Sequence, residues 1–177
     1  YILLKWAQTA NGFIGYSQVT SDRIATLQIS NAVTKMLVHK LRAEYDAILV
    51  GRNTEELEHP LLTVREWNGK NPQKIVLSST YKSNGFVDGV LYVNSLQQLI
   101  ETINQRNNTE QKICSLIVEG GAHTLQSFID AGLWDEIRIE TAPFTINNGI
   151  AAPHLPNNID IVKKEFYGNT IVTYKRL

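Results

Sequence analysis

The alternation of short apolar runs with helical patterns constrains the fold of this chain more than any other feature. Six apolar runs occur before residue 143, at 2–7, 46–51, 74–79, 90–93, 113–119 and 135–142. Several are apolar at nearly every position, which is typical of strands buried on both faces of a sheet. Because helical patterns separate the runs, we predict an α/β fold with a mainly parallel sheet and helices on both faces.

Three segments have the apolar spacing of amphipathic helices. The first, 30–45, has Ser30 or Asn31 as its expected N-cap. The second, 95–106, opens with a serine cap, and the third follows Gly121. The apolar face of the first helix is expected to consist of Val33, Met36, Leu37 and Leu41.

The C-terminal part of the chain predicts a β-hairpin. Segments 159–167 and 170–176 have the composition of strands and flank Gly168-Asn169, a turn signal. We expect this hairpin to add an antiparallel edge to the sheet. With 177 residues and no internal repeat, the chain is expected to form a single domain over 1–177.

Composition argues against several classes of function. Seventeen Lys and Arg residues balance 17 Asp and Glu residues without a basic run, so a nucleic-acid partner is not expected. No apolar run approaches the roughly 18 residues of a membrane span, so a membrane partner is not expected. Cys114 is the only cysteine, which fits a reducing cytoplasm, and its apolar surroundings predict an inert core residue.

The remaining chemistry-bearing residues show neither a metal motif nor a nucleophile motif. His39, His59, His123 and His154 lack the spacing of metal ligands, so no metal is expected. His39 is interpreted as an exposed helix residue. No G-x-S-x-G elbow occurs, so hydrolysis through a covalent nucleophile is not expected.

Glu119-Gly120-Gly121 lies where an apolar strand passes directly into a helix. In an open α/β sheet, ligands bind beyond the carboxyl ends of the strands, where helix N-termini present unpaired N–H groups. Glycine there allows a phosphate to approach the backbone. A tight turn with no ligand, and a solvated carboxylate at Glu119, explain the same residues, and spacing alone leaves both interpretations open.

A second junction, 47–65, is interpreted as a strand followed by a loop. Arg65 closes this loop, and Arg42 lies at the margin of the apolar face of the preceding helix. Two arginines that turn toward one cleft could hold a phosphate through charge-assisted hydrogen bonds. Surface positions for both arginines are the alternative.

Five segments, taken together and in this order, strongly resemble the reductase domain of the bifunctional riboflavin-biosynthesis deaminase/reductase. They are "LKWAQTANGFI" (4–14), "VHKLRAEYDAILVGRNT" (38–54), "HPLLTVR" (59–65), "VEGGAHTLQSFIDAGLWDEIRI" (118–139) and "AP" (142–143). The resemblance implies a dihydrofolate-reductase-like fold and the use of NADPH to reduce the ribosyl group of 5-amino-6-(5-phosphoribosylamino)uracil to a ribityl chain. It also implies a homodimer.

The family carries a zinc-dependent deaminase upstream of the reductase, and this chain lacks the motifs of that deaminase. Since the chain is already in an apolar run by Ile2, we expect it to be a piece of a longer protein. A deaminase domain is then a possible upstream neighbour.

The resemblance also implies which residues bind the two ligands. In the substrate site, Arg42 and Arg65 suit a ribose 5-phosphate, and Glu119 suits the hydroxyls of a sugar or the N–H groups of a pyrimidine. Thr26 and Leu62 match two further substrate positions. The matching cofactor positions are Ala7, Gln28, Thr54, Glu58, Gly121, Ala122, His123, Thr124, Leu125, Gln126 and Ser127.

Three positions depart from the family pattern. Asn11 stands where the family usually has Asp, Glu58-His59-Pro60 stands where it has D-[DN]-P, and Gln28 stands where it has Trp. These changes are expected to tune cofactor affinity or substrate choice. No residue is assigned as the proton donor.

Two alternative functions stay open. One is a dihydrofolate-reductase-like enzyme for another pteridine or pyrimidine. The other is a non-catalytic domain that binds a ligand or mediates assembly.

Overall fold

The computed structural model describes residues 1–16, 27–80, 85–106, 109 and 112–177. The helices are α1 (Ala32–Glu44), α2 (Arg52–Glu58), α3 (Leu96–Arg106) and α4 (Ala122–Asp130). The strands are β1 (Ile2–Gln8), β2 (Phe13–Gly15), β3 (Ala47–Gly51), β4 (Gln73–Leu77), β5 (Gly85–Val87), β6 (Val90–Val93), β7 (Leu116–Val118), β8 (Glu136–Thr141), β9 (Ile150–Ala151), β10 (Ile159–Phe166) and β11 (Thr170–Arg176).

Nine of the described strands form one sheet in the order β10-β11-β8-β1-β7-β3-β4-β6-β5. The six strands from β8 to β6 are parallel, while β11 and β10 on one side and β5 on the other add antiparallel edges. The predicted parallel sheet and C-terminal hairpin are therefore confirmed. A separate two-stranded sheet pairs β2 with β9.

The sheet divides the hydrophobic core into two layers. Side chains alternate between the faces of a strand, so Leu4 and Leu49 lie in one layer while Leu3 and Ile48 lie in the other. The first layer includes residues of α3 and α4, and the second includes Leu41 of α1. Burying each such side chain contributes about 1.5–3 kcal/mol, so the central parallel strands form a rigid base.

Helix α1 begins at a side-chain cap. The Asn31 carboxamide oxygen accepts a hydrogen bond of 3.0 Å from the Thr34 N–H, and its amide nitrogen donates to the Tyr167 carbonyl at 2.8 Å. Asn31 thus also ties α1 to the C-terminal hairpin. The predicted apolar face is wrong at Val33, which is 46% exposed, because α1 turns Thr34 and His39 inward instead.

Several elements differ from the sequence expectations. Residues 52–58 form α2 rather than the predicted loop. The helix was missed because none of its side chains is buried, so the sequence RNTEELE shows no apolar periodicity. The short strands β2, β5 and β9 were also not predicted, because two or three residues carry too little pattern. No helix within the described ranges is long and apolar enough to cross a membrane.

Cys114 is exposed rather than part of the core. Strand β7 begins only at Leu116, and Cys114 precedes it at the surface. There the Asp46 carboxylate accepts hydrogen bonds from the N–H groups of Cys114 and Ser115, at 2.8 and 2.9 Å. The carboxylate therefore fixes the start of the strand.

Candidate active site

A cavity of about 610 Å³ opens at the carboxyl ends of β1, β3 and β7, beside α1, α2 and the start of α4. Parallel strands bring these ends to one edge, which is where ligands of such sheets bind. The structure brings eight of the residues predicted for substrate or cofactor to its lining, namely Ala7, Gln28, Arg42, Thr54, Glu58, Arg65, Glu119 and Gly121. Thr26 lies outside the described residues.

Arg42 and Glu119 form an ion pair at the base of the cavity. The Arg42 Nη2 atom lies 2.6 Å from Glu119 Oε2, and Arg42 Nε lies 3.4 Å from Oε1. Their side chains are only 12% and 9% exposed. Arg42 Nη1 also reaches the Thr63 carbonyl at 3.4 Å. The Arg42 guanidinium is thus held in place before any ligand arrives.

Glu119 is an anion surrounded by positive charge. Burial alone raises the pKa of its carboxyl, but the Lys5 and Arg42 charges, with a smaller effect from His39, outweigh burial and lower that pKa. Glu119 is therefore ionised at neutral pH. An ionised carboxylate accepts hydrogen bonds only, so it can orient hydroxyl or N–H groups of a ligand.

Lys5 is a cavity residue that the sequence argument missed. It lies on β1 and lines the cavity, where its charge acts on Glu119. The signal for it was present, because a lysine inside the otherwise apolar run ILLKWA has to point toward a polar site or solvent.

Gly120 and Gly121 have different physical roles. A Cβ on Gly120 would lie 2.8 Å from Thr124 Cβ, and a Cβ on Gly51 would collide with the Thr124 hydroxyl. Gly51 and Gly120 therefore allow α4 to pack against the ends of β3 and β7. A Cβ on Gly121 would meet only Thr54 Oγ1, at 3.5 Å. Gly121 thus leaves open space on the cavity side of this junction.

Helix α4 starts at Gly121 without a side-chain cap. Its first intrahelical bond runs from the Leu125 N–H to the Gly121 carbonyl, so the N–H groups of residues 122–124 have no acceptor within the helix. Such a helix start attracts anionic groups. Ala7 and Thr54 line the cavity beside this helix start.

The remaining predicted residues of this stretch do not line the cavity with their side chains. Leu125 is buried in the core, and the Ser127 hydroxyl donates to the Thr124 carbonyl at 2.7 Å. The Gln126 side chain accepts from the His154 N–H at 2.8 Å. His123 is exposed. The Leu125, Gln126 and Ser127 side chains are therefore engaged within the protein.

Leu62 is also placed away from the cavity lining. Its side chain is 5% exposed and lies in the core layer on the α1 side of the sheet, with the backbone in the left-handed region at φ 52°. That conformation is uncommon for a branched side chain, and burial of the side chain holds it. Leu62 therefore anchors the loop that carries Arg65.

His39 is buried, so the expectation that it is an exposed helix residue is wrong. It is 5% exposed and lines the cavity wall, where Nδ1 accepts a hydrogen bond of 2.9 Å from the Arg65 N–H. Sequence periodicity missed it because α1 carries polar residues on the face that turns toward the site.

Two departures from the family pattern acquire physical explanations. The Asn11 carboxamide donates to the Ile146 carbonyl at 2.8 Å and accepts from the Ile146 N–H at 3.3 Å. An aspartate could not make the first of these bonds. Partial desolvation at the cavity edge raises the pKa of the Glu58 carboxyl, although the residue stays exposed on one side, so it stays protonated to higher pH than a fully solvated Glu.

Comparison with known proteins identifies the family of this chain. A family model described as the RibD C-terminal domain matches residues 1–166. The chain belongs to this family. The riboflavin biosynthesis protein RibD of Aquifex aeolicus is 30% identical over 177 residues, covering 85% of this chain and 48% of the relative. The family expected from the sequence segments is thereby confirmed.

Solved structures define the fold of this RibD C-terminal domain. The deaminase/5-amino-6-(5-phosphoribosylamino)uracil reductase of Thermotoga maritima superposes with a TM-score of 0.79 at 22% identity, covering 100% of this chain and 56% of that one. Dihydrofolate reductase from Enterococcus faecalis, complexed with NADP(H) and RAB-propyl, gives 0.72 at 18% identity, covering 99% and 95%. The dihydrofolate-reductase-like fold is confirmed.

The domain corresponds to a part of larger relatives. It spans about half the length of the RibD proteins of Aquifex aeolicus and Corynebacterium ammoniagenes, 48% and 45%.

Proposed function

We propose that this chain is the NADPH-dependent reductase domain that converts the ribosyl group of 5-amino-6-(5-phosphoribosylamino)uracil to a ribityl chain. The observation that carries the proposal is one cavity that combines the Arg42–Glu119 pair and Arg65 with the open helix start at Gly121. The Thermotoga maritima relative, named as a reductase of this substrate, supports the choice.

The substrate half of the cavity is lined by α1, β1 and the loop after α2. Arg65 would bind the phosphate, since no described carboxylate forms an ion pair with its guanidinium. Glu119 would accept hydrogen bonds from sugar hydroxyls or pyrimidine N–H groups, with Arg42 keeping it in position. Holding the phosphate far from the reacting carbon uses binding energy to orient that carbon.

The cofactor half is formed by Ala7, Thr54 and the first turn of α4. The N–H groups of residues 122–124 would hold the cofactor phosphates, and the space beside Gly121 leaves room for them. NADPH, when bound, supplies the hydride. The protein contributes position, charge and exclusion of water, and NADPH rather than NADH is part of the proposal.

The assembly is proposed on separate grounds. Strand β10 is a sheet edge that exposes Ile161, Val162 and Phe166. Such an edge is suited to pairing with a second copy, which supports a homodimer. The single cysteine in the sequence supports a location in the reducing cytoplasm. The Thermotoga maritima relative carries both activities in one chain, which supports a zinc-dependent deaminase as neighbouring domain. Sedimentation of the purified chain tests the dimer.

The decisive experiment follows NADPH absorbance with and without the phosphoribosylaminouracil, in the wild type and in Arg65→Ala. We expect substrate-dependent oxidation in the wild type. Arg65→Ala should weaken substrate binding by about 1.5–3 kcal/mol, the range for a hydrogen bond to a charged group, without changing NADPH affinity.

Lys112→Ala removes an exposed cation that lies outside the cavity and outside β10, and it serves as the control. NADPH that binds but is not consumed would favour a different pteridine or pyrimidine substrate. Absence of NADPH binding would favour the non-catalytic alternative.

A further inference from the structure

The loop that carries Arg65, residues 59–65, has no regular secondary structure and is held by individual contacts. The Val64 N–H donates to Asn71 Oδ1 at 2.8 Å, and Lys74 Nζ donates to the Pro60 carbonyl at 3.2 Å. Asn71 precedes β4 and Lys74 lies in it, so these two bonds tie the loop to that strand. Leu62 adds an apolar anchor in the core.

His39 supplies a short contact between this loop and α1. Its Nδ1 atom accepts the Arg65 N–H at 2.9 Å, so the bond holds the backbone of the residue whose side chain faces the cavity. Among the residues that the structure describes, the Arg65 side chain makes one hydrogen bond, from Nη1 to Thr63 Oγ1 at 3.5 Å. The direction of the Arg65 guanidinium therefore depends on where its backbone is held.

This bond requires a neutral imidazole. A ring nitrogen that accepts a hydrogen bond cannot carry a proton, so the proton lies on Nε2. Burial lowers the pKa of His39, as do the charges of Arg42 on its own helix and of Arg65 on the loop. Glu66 and the Thr63 backbone oppose the shift.

Four further charged residues line the same cavity. Glu119 follows β7 and interacts with His39, Lys5 lies on β1, Lys35 lies on α1 and Glu58 ends α2. Burial and the arginines outweigh the acidic groups, so the imidazole stays neutral through the physiological range.

We propose that His39 is a positioning residue that holds Arg65 ready for the phosphate group of the ligand, and that its protonation releases Arg65. This inference rests on the proposed function, because it takes Arg65 as the phosphate ligand. His39 itself does not act on the reacting atoms. A protonated imidazole would present a donor to the Arg65 N–H, and the bond that fixes the loop would be lost.

Two variants distinguish the role of the hydrogen-bond acceptor at His39 from the role of its side-chain volume. His39→Asn keeps an acceptor, because its carboxamide oxygen can occupy nearly the same place as the imidazole Nδ1, whereas His39→Leu keeps apolar volume and loses the acceptor. Binding of ribose 5-phosphate is measured by calorimetry. We expect His39→Leu to raise its Kd at least tenfold and His39→Asn to leave it within about threefold of the wild type.

A double variant tests whether His39 acts through Arg65. In an Arg65→Ala background, His39→Leu should have no further effect on ribose 5-phosphate binding. Equal losses in His39→Leu and His39→Asn, or a full loss added to that of Arg65→Ala, would overturn the proposal. Absence of binding by the wild type would overturn it together with the role of Arg65.

The pH dependence gives an independent readout. Titration of the ligand phosphate changes the Kd of the wild type and of His39→Asn equally, so it cancels in the ratio of the wild-type Kd to the His39→Asn Kd. This ratio should rise as pH falls below the ordinary His pKa of about 6.5. A ratio that stays constant would overturn the switch. Nitrogen-15 NMR of the free protein should find His39 protonated at Nε2 alone at neutral pH, and any other form would contradict the geometry.

These binding and NMR measurements do not depend on turnover. Suppose that the wild type binds ribose 5-phosphate and the variants change its Kd as expected, but NADPH is never oxidised. That result would contradict the proposed reductase function, while the His39 inference would stand.

Discussion

The Arg42 guanidinium lies 2.6 Å from the Glu119 carboxylate and joins the last turn of α1 to the residue that follows β7. Because both groups are largely buried, each offsets the cost of removing the other from water. The ion pair also gives the two arginines of the cavity different roles. Arg42 is committed to Glu119, which leaves Arg65 to meet an anionic ligand.

Glu119→Gln should destabilise the fold by about 3 kcal/mol, because it leaves the buried Arg42 charge without its counter-charge. Urea unfolding measures the change in the free energy of unfolding. Glu56→Gln is the matched control, since the Glu56–Arg52 pair is exposed and spans 3.6 Å, and should cost no more than about 1 kcal/mol. Equal effects of the two substitutions would contradict a structural role for the buried pair.

The same pair predicts a pH dependence of stability. The folded pKa of Glu119 lies below its unfolded value near 4.5, so its stabilising contribution is complete above that pH. It is lost as the pH falls from the unfolded pKa toward the folded one. Unfolding free energies of the wild type and Glu119→Gln should therefore converge below about pH 4.5. A difference that stays constant into acid would show that ionisation of Glu119 is not its source.

Gly120→Ala and Gly121→Ala should have opposite consequences. Gly120→Ala forces Thr124 away from the sheet and should cost about 1–3 kcal/mol of stability, the usual range for overpacking. Gly121→Ala meets only Thr54 Oγ1 at ordinary contact distance and should leave thermal unfolding nearly unchanged. Its methyl group should nevertheless weaken NADPH binding at least tenfold, as measured by fluorescence titration. Unchanged NADPH affinity would contradict a phosphate site at the start of α4.

Asn11→Asp should destabilise this chain by about 1 kcal/mol, although the family usually has Asp there, because the hydrogen bond to the Ile146 carbonyl is lost. Thermal unfolding is the measurement. Asn147→Asp adds the same charge at an exposed position next to Ile146 and should change stability by less than about 0.5 kcal/mol. An Asn11→Asp variant as stable as this control would show that the carboxamide bonds are dispensable.

Local sequence patterns predicted the helices and strands that are long enough to show an apolar periodicity. The runs that became β1, β3, β4 and β8 were predicted correctly, and the structure selects Asn31 from the two caps, Ser30 or Asn31, that the sequence left open. Helix α2 was missed because its side chains are not buried, so no periodic apolar signal exists. Val33 and His39 were assigned to the wrong environments, because the site places polar groups on the inner face of α1.

Half of the predicted site residues, eight of sixteen, line one cavity, because the ends of parallel strands meet at one edge of the sheet. The sequence could not predict which glycine serves packing and which leaves space, since that depends on where Thr124 lies. Nor could it predict that Lys5 acts on Glu119.

By itself the sequence determined the fold class, the family and the identity of the charged residues, because these follow from periodicity and motif order. Tertiary structure alone decided how the polar groups are paired: Arg42 forms an ion pair with Glu119, and His39 accepts a hydrogen bond from the backbone of Arg65. The physical reason is that the strength of an ion pair or hydrogen bond depends on distances of a few ångström and on burial. Both quantities arise only when segments far apart in the chain pack against each other.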